Sequence, residues 1–166
     1  MLRLVWRGSI TAGLLALAVW AVWAADAPAQ PLAFSHKAHA GTLKLQCKMC
    51  HPSPDPGESM TFVAAKVCMQ CHSSIKADSP AIQKLASFAT QNRNIPWKRV
   101  YQIPSFVDFS HKTHLSSGAT CETCHGQVEQ RDALFRETNI SMGACMDCHR
   151  QHKAPIDCTA CHEQRN

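Results

Sequence analysis

The cysteines and histidines of this sequence form one repeated pattern that could do chemistry. All ten cysteines fall into pairs separated by two residues, and a histidine directly follows each pair. The pairs are Cys47 and Cys50, Cys68 and Cys71, Cys121 and Cys124, Cys145 and Cys148, and Cys158 and Cys161, followed by His51, His72, His125, His149 and His162. Two thiols and an imidazole at this spacing could bind zinc, exchange disulfides or attach a cofactor covalently.

The immediate histidine decides between these chemistries. Structural zinc sites do not require a histidine directly after every second cysteine. Thiol–disulfide exchange does not account for five copies with histidine, and structural disulfides would not pair every cysteine at this short spacing. Cys-x-x-Cys-His is the attachment signature of c-type haem, whose two vinyl groups take the thiols while the histidine binds the iron. The pattern therefore predicts five covalently attached haem c groups.

Five further histidines match the five predicted haems in number. They are His36, His39, His111, His114 and His152. Each haem would then have a second, distal imidazole on the other side of its iron. Met60 and Met142 are the possible substitutes. The count favours bis-histidine ligation throughout.

Chain length restricts how these histidines can pair. Two imidazoles on opposite faces of one haem need Cα atoms roughly 12–13 Å apart, whereas three residues span at most about 10–11 Å. His36 and His39 must therefore serve different haems, as must His111 and His114. His152 is equally too close to His149, so we expect it to be distal to the haem at Cys121 and Cys124 or at Cys158 and Cys161.

Haems with two protein ligands transfer electrons and leave no position for a substrate. We therefore expect an electron-transfer protein with no catalytic residues. A free periplasmic shuttle is one alternative to a subunit of a larger complex. A haem enzyme that reduces a small molecule such as nitrite is another, and it would need an open axial position.

The first 25 residues resemble an export segment. Arg3 and Arg7 precede an uncharged run, 8–25, that is rich in Leu, Ala, Val and Trp. This order is typical of a secretory signal peptide. Its length also lies at the lower end of the roughly 17–25 residues that span a bilayer, so an uncleaved membrane anchor is the alternative. Either reading places the remainder in the periplasm, and an uncleaved anchor would hold it on the outer face of the inner membrane.

The charge balance does not indicate nucleic-acid binding. Removing Arg3 and Arg7 from the 17 Lys and Arg residues leaves 15, against 12 Asp and Glu, a formal charge of +3. Ten haem propionates would lower this to about −7 if all were ionised. The basic residues are better interpreted as propionate partners and solvated surface.

An internal repeat divides the sequence into modules. Phe34-Ser-His-Lys-Ala-His39 before Cys47 matches Phe109-Ser-His-Lys-Thr-His114 before Cys121. We predict a two-haem module at 31–75, a linker with a short helix at 76–103, and a three-haem module at 104–166. The expected fold is mainly α with long loops, little or no sheet, and haems supplying most of the core.

Two helices and one extended segment are predicted in detail. Ser79 and Pro80 are typical of a helix start, with Ile82, Leu85, Ala86 and Ala89 on one face and an end at Asn92 to Asn94. Gln127 to Thr138 is the second predicted helix, with Val128, Leu134 and Phe135 facing inward. Residues 95–109 read as extended, and Trp97 and Tyr101 are expected to pack on porphyrin.

The repeated Phe-x-His-x-x-His before Cys-x-x-Cys-His resembles the small class III multihaem cytochromes. That resemblance implies that His36, His39, His111 and His114 are distal ligands. Further segments, including Ile95-Pro-Trp-Lys-Arg-Val-Tyr101 and Ser141-Met-Gly-Ala-Cys145, resemble the multihaem subunit of alternative complex III and related quinone-linked complexes. The likeness covers residues 32–150. It implies membrane association and redox partners that include quinone-reactive and iron–sulfur or molybdopterin-type subunits.

Overall fold

The computed structural model describes residues 27–52 and 60–162. Throughout these two ranges the regular elements are helical and no strand forms. The α-helices are α1 (Cys47–Cys50), α2 (Ala65–His72), α3 (Pro80–Thr90), α4 (His111–Ser116), α5 (Cys121–His125) and α6 (Met142–His152). A π-helical turn spans Lys37–Thr42, and 3-10 turns span Val128–Gln130 and Cys158–Ala160. The predicted mainly α fold with long loops is confirmed.

The predicted signal peptide or anchor at 1–25 lies outside the described residues. Among those that are described, α3 and α6 contain 11 residues each. No helix in that part of the chain combines the length and apolar character needed to cross a membrane.

Helix α3 is the predicted linker helix. The Ser79 hydroxyl accepts a hydrogen bond from the Ile82 amide, and Pro80 occupies the first helical position. The helix ends at Thr90, shortly before Asn92 adopts a left-handed backbone conformation with φ of 49°. Its apolar face packs on α2, which carries two of the attachment cysteines. The prediction of this helix and its buried face is confirmed.

The second predicted helix, Gln127 to Thr138, is wrong. Only the 3-10 turn Val128–Gln130 forms, and the chain then runs without regular structure. The Arg131 guanidinium binds the Glu137 carboxylate at 2.6 Å, and the Tyr101 hydroxyl accepts a hydrogen bond from the Glu137 amide at 2.9 Å. These tertiary contacts hold the segment as a loop and outweigh its helical periodicity.

The segment 95–109, predicted to be extended, contains no helix or strand and is interrupted by a turn at Ser105 and Phe106. Trp97 packs against the small core and lies at an angle to the Phe34 ring. Tyr101 presents its ring to the edge of His125, with centroids 4.7 Å apart. Both aromatic residues therefore lie among predicted ligands, and their contact with porphyrin stays a prediction.

The protein core is very small for a chain of this length. In the described residues, only four apolar side chains are buried: Leu32, Ala65, Leu85 and Ile95. Large apolar side chains remain exposed beside the attachment motifs, among them Met49, Ile75, Met142 and Ile156. Such an interior cannot by itself offset the conformational entropy lost on folding. It fits a fold in which covalently attached porphyrins complete the apolar core.

Candidate haem sites

We number the predicted haem sites by their motifs in chain order. Site 1 is Cys47–His51, site 2 Cys68–His72, site 3 Cys121–His125, site 4 Cys145–His149 and site 5 Cys158–His162. The first four motifs lie on or at the end of α-helices, and the fifth begins with a 3-10 turn. In a helix, residues i, i+3 and i+4 share one face. The helical turn therefore presents both thiols and the histidine of a motif to the same side.

Eight imidazoles form four pairs across the molecule. Two nitrogens bound to opposite sides of one metal, each at about 2.0–2.1 Å, place their ring centroids roughly 6 Å apart. The observed centroid distances are 6.4 Å for His36 and His51, 6.1 Å for His39 and His72, 6.4 Å for His111 and His125, and 6.0 Å for His114 and His149. The residues at sites 1 to 4 thus fit one iron between each pair.

The two copies of the sequence repeat have the same geometry. The first histidine of each copy lies nearly parallel to its partner ring, at 8° for His36 and His51 and 5° for His111 and His125. The second histidine of each copy is tilted relative to its partner ring, at 54° for His39 and His72 and 47° for His114 and His149. Phe34 and Phe109 each stack on the second histidine of their copy, at 4.5 Å in both cases. The repeat is therefore a structural unit with two sites.

Backbone carbonyls orient the ligand imidazoles. The Nδ1 atoms of His51, His72, His149 and His162 hydrogen-bond the carbonyls of Thr61, Ile75, Pro155 and Phe106. His39 and His114 do the same with Ser35 and Ser110, four residues before them, at 2.8 Å. A proton held on Nδ1 leaves Nε2 with a free lone pair, which is the form that binds metal.

Burial keeps two of the ligand imidazoles neutral. It lowers the pKa of His36 to about 4, with smaller contributions from the neighbouring His51 and His39. Burial also lowers the pKa of His125, and the nearby His111 and His51 add to this effect. A metal-binding imidazole must be unprotonated, so these environments favour ligation.

The thiols identify which sites are neighbours. No disulfide joins any of the ten cysteines, all of which lie in the described residues. Apart from burial, which is the main cause, each of four thiol pKa values is raised by a thiol of another motif: Cys68 by Cys50, Cys121 by Cys47, Cys124 by Cys145, and Cys145 by Cys161. These thiols are therefore close to one another, which places site 1 beside sites 2 and 3, and site 4 beside sites 3 and 5.

Among the described residues, His152 is, with His162, one of the two predicted ligands that the structure does not bring to a second imidazole. It lies exposed in the last turn of α6. Site 3 is one of the two sites expected for His152, but its histidine, His125, pairs instead with His111. Within the described ranges, His152 makes no ring contact with His162 either. Its ligand role stays a prediction. Of the substitutes, Met142 is 67% exposed and Met60 is half-buried.

The roles of the two phenylalanines and of the carbonyl acceptors were not predicted from the sequence. Phe34 and Phe109 were visible as part of the repeat, so their shared role beside the distal histidines could have been inferred. The carbonyls of Thr61, Ile75 and Pro155 could not, because every residue has a carbonyl and only the path of the chain selects one.

Comparison with known proteins supports the same interpretation. Residues 36–126, more than half of the 166 residues, match the family model described as cytochrome c3, and residues 107–165 match that of cytochrome c7 and related cytochrome c. The chain is 27% identical over 142 residues to the "menaquinone reductase, multiheme cytochrome c subunit" of Nitratidesulfovibrio vulgaris (strain Hildenborough), covering 72% of this chain and 67% of that protein. With its repeated motifs and paired imidazoles, the chain belongs to the cytochrome c3 family of multihaem c-type cytochromes.

Proposed function

We propose that this protein is an exported pentahaem cytochrome that transfers electrons as a subunit of a quinone-linked respiratory complex. The observation that carries this proposal is the contiguous row of sites, four of which have paired imidazoles at 6.0–6.4 Å. Bound haem would supply reversible one-electron oxidation and reduction of iron. Neighbouring sites in an unbroken row suit transfer along the chain better than chemistry at one centre.

The protein residues hold and orient the cofactors. Two thiols per motif would fix each porphyrin covalently, and the imidazoles would bind on both faces at sites 1 to 4. Carbonyl-bound Nδ1 atoms prevent the imidazoles from rotating when the charge at the site changes. Because each repeat spaces its two distal histidines three residues apart, the two sites that they serve are held close together.

The similarity to a protein named as a menaquinone reductase subunit supports the proposed partners. We infer that the chain receives or delivers electrons at a quinone-reactive membrane subunit and passes them to an iron–sulfur or molybdopterin-type subunit or a soluble carrier. Segment 1–25, with its two arginines and apolar run, would direct export to the periplasm and could anchor the protein to the outer face of the inner membrane.

Two measurements test this function. The mature protein extracted with acid acetone should retain five haems by intact mass, since thioether bonds survive that treatment. Membranes solubilised in mild detergent should release the protein together with a quinone-reactive subunit. Fewer than five covalent haems would contradict the cofactor assignment. A protein found alone in the periplasmic fraction would instead favour a free shuttle.

A further inference from the structure

Site 5 lies outside the repeated unit. Each copy of Phe-Ser-His-Lys-x-His provides two distal imidazoles, and the structure assigns them to the two motifs that follow in the same copy. Site 5 follows the second copy and has no such element of its own. After the four pairs are formed, His162 and His152 are the remaining histidines. If a haem at site 5 has two imidazole ligands, they must therefore be His162 and His152. Otherwise it has no second imidazole ligand.

His162 is held as His51, His72 and His149 are. Its Nδ1 binds the Phe106 carbonyl at 3.1 Å, and the adjacent Cys161 carbonyl accepts a hydrogen bond from the Asp108 amide at 2.8 Å. These contacts hold the Nδ1 side of the ring against residues 106–108, so that Nε2 lies on the side of the ring that faces away from them. The Nε2 atom of His162 is thus available to bind the iron on one face of a haem at site 5.

Phe106 does not occupy the opposite axial position. Its ring lies 6.0 Å from the His162 ring at 26°. Its backbone carbonyl, however, is bound on the Nδ1 side of the imidazole, whereas the second axial position lies beyond Nε2. The phenyl side chain is too short to extend from the one side to the other.

His152 is poorly placed to supply the missing imidazole. It follows His149 by one turn of α6, and that helix directs His149 to the His114 pair. Its side chain is exposed, and no aromatic ring of the described residues lies at the 6.0–6.4 Å that marks the four pairs.

We propose that site 5, formed by Cys158, Cys161 and His162, binds small external ligands at the second axial position of its haem. The ligand class is that of small molecules and anions with affinity for haem iron, such as carbon monoxide, nitric oxide, cyanide and nitrite. The proposal rests on the haem attachment proposed above. It makes site 5, at one end of the row, chemically different from the four sites that only carry electrons.

Spectra of the full-length holoprotein test this assignment, both in membranes and after purification. One haem in five should give a high-spin electron paramagnetic resonance signal and bind carbon monoxide when reduced. His152→Ala should leave both signals unchanged. The matched control is His114→Ala, which removes a paired imidazole and should raise the high-spin and carbon monoxide-binding fraction from one to two haems in five.

Several outcomes would overturn the proposal while leaving the haem count intact. Five low-spin haems in the unaltered protein, with or without a methionine–iron band, would show that site 5 has a second protein ligand. A rise from no high-spin haem to one in the His152→Ala variant would identify that ligand as His152. A high-spin signal present only after purification would mean that a neighbouring subunit supplies the ligand. An intact mass below five haems would contradict the proposed function instead, so the two failures are distinguishable.

Discussion

At the scale of single residues, a hydrogen bond from Nδ1 to a backbone carbonyl orients the rings of six of the ten candidate ligand histidines. At sites 1, 2, 4 and 5 the acceptor comes from a segment three or more residues away, as with Thr61 for His51 and Pro155 for His149. The acceptor fixes both the tautomer and the ring orientation, and removing such partners typically weakens metal binding by about 10–100-fold. The residue type thus determines which side chains can be ligands. The path of the backbone determines the direction in which each of these side chains points.

Substitution of the paired histidines should assign each distal ligand to its site. His114→Ala removes the imidazole opposite His149 and should convert one haem to high spin, measured by electron paramagnetic resonance. In a background lacking the site 4 cysteines, Cys145→Ala and Cys148→Ala, the same substitution should have no further spectral effect. His111→Ala in that background should still convert one haem, because its partner is His125. An effect of His114→Ala without site 4 would contradict the pairing.

Sequence reasoning identified the ligand types more completely than their partners. The spacing rule predicts different haems for His36 and His39. The structure places their rings opposite different imidazoles, those of His51 and His72. The spacing rule left open which haem each one serves, because that depends on how the loops between motifs fold. His152 illustrates the limit: its number matched a fifth haem, while its position on α6 exposes it. The number of candidate ligands in a sequence does not show the direction in which each side chain points.

At the scale of elements, Tyr101 links the irregular loop that contains Glu137 and Thr138 to α5, the helix of site 3. Its hydroxyl accepts hydrogen bonds from the Glu137 and Thr138 amides, at 2.9 and 3.3 Å, and donates one to the His125 carbonyl at 3.3 Å. Its ring meets His125 edge on. One side chain therefore satisfies backbone groups that a helix would have satisfied internally, which is why the predicted helix at 127–138 does not form.

Tyr101→Phe should destabilise the holoprotein by about 1–3 kcal/mol, because two half-buried amides lose their acceptor. Thermal unfolding followed by the Soret band would measure this. Thr90→Val is the control, since the Thr90 hydroxyl donates to carbonyls within its own exposed helix turn. Equal stabilities for the two variants would show that water replaces the tyrosine hydroxyl without cost.

Leu85→Ala should weaken the cover that α3 places on α2. Leu85 is 6% exposed and belongs to the four-residue core, so truncation should cost about 2–5 kcal/mol. Water admitted near site 2 would favour the more highly charged oxidised state and lower the reduction potential of that haem. Denaturant titration and potentiometry would measure both. Ser87→Ala, on the exposed face of the same helix, should change stability by less than about 0.5 kcal/mol.

At the scale of the whole molecule, the two repeats meet through sites 1 and 3. The Lys37 amide donates to the Arg131 carbonyl, and the Ser35 hydroxyl donates to Asp132 at 2.6 Å. Gly41 approaches the Glu129 carbonyl so closely that a Cβ at this position would lie 2.3 Å from its oxygen. This contact is between backbones, so the junction cannot accept a side chain without moving.

Gly41→Ala should therefore separate the π-helical turn Lys37–Thr42 from the 3-10 turn Val128–Gln130. We expect a loss of about 1–3 kcal/mol in the free energy of unfolding. Gly143→Ala is the matched control: its Cβ would meet only the Ser141 hydroxyl at 3.9 Å, and alanine in α6 should stabilise by about 0.5–1 kcal/mol. Two variants of similar stability would show that the junction is not tightly packed.

The order of the sites was the part of the architecture least accessible from sequence. The fold class followed from the motif density and the scarcity of apolar runs, and α3 followed from Ser79 and Pro80. The backbone contact at Gly41, which brings the first repeat against residues 129–132, joins two segments nearly ninety positions apart. Nothing local to either segment specifies that contact.

The close match between the two copies, in which Phe34 and Phe109 stack identically on their histidines, has a consequence for how such proteins diversify. Since each copy closes on its own ligands, duplication of the unit adds two cofactors without disturbing the existing pairs. Deletion removes two in the same way. We expect homologues to differ from this chain by even numbers of haems wherever the change involves the whole unit. Single additions, such as site 5, should arise as motifs outside the unit whose coordination is still free to evolve.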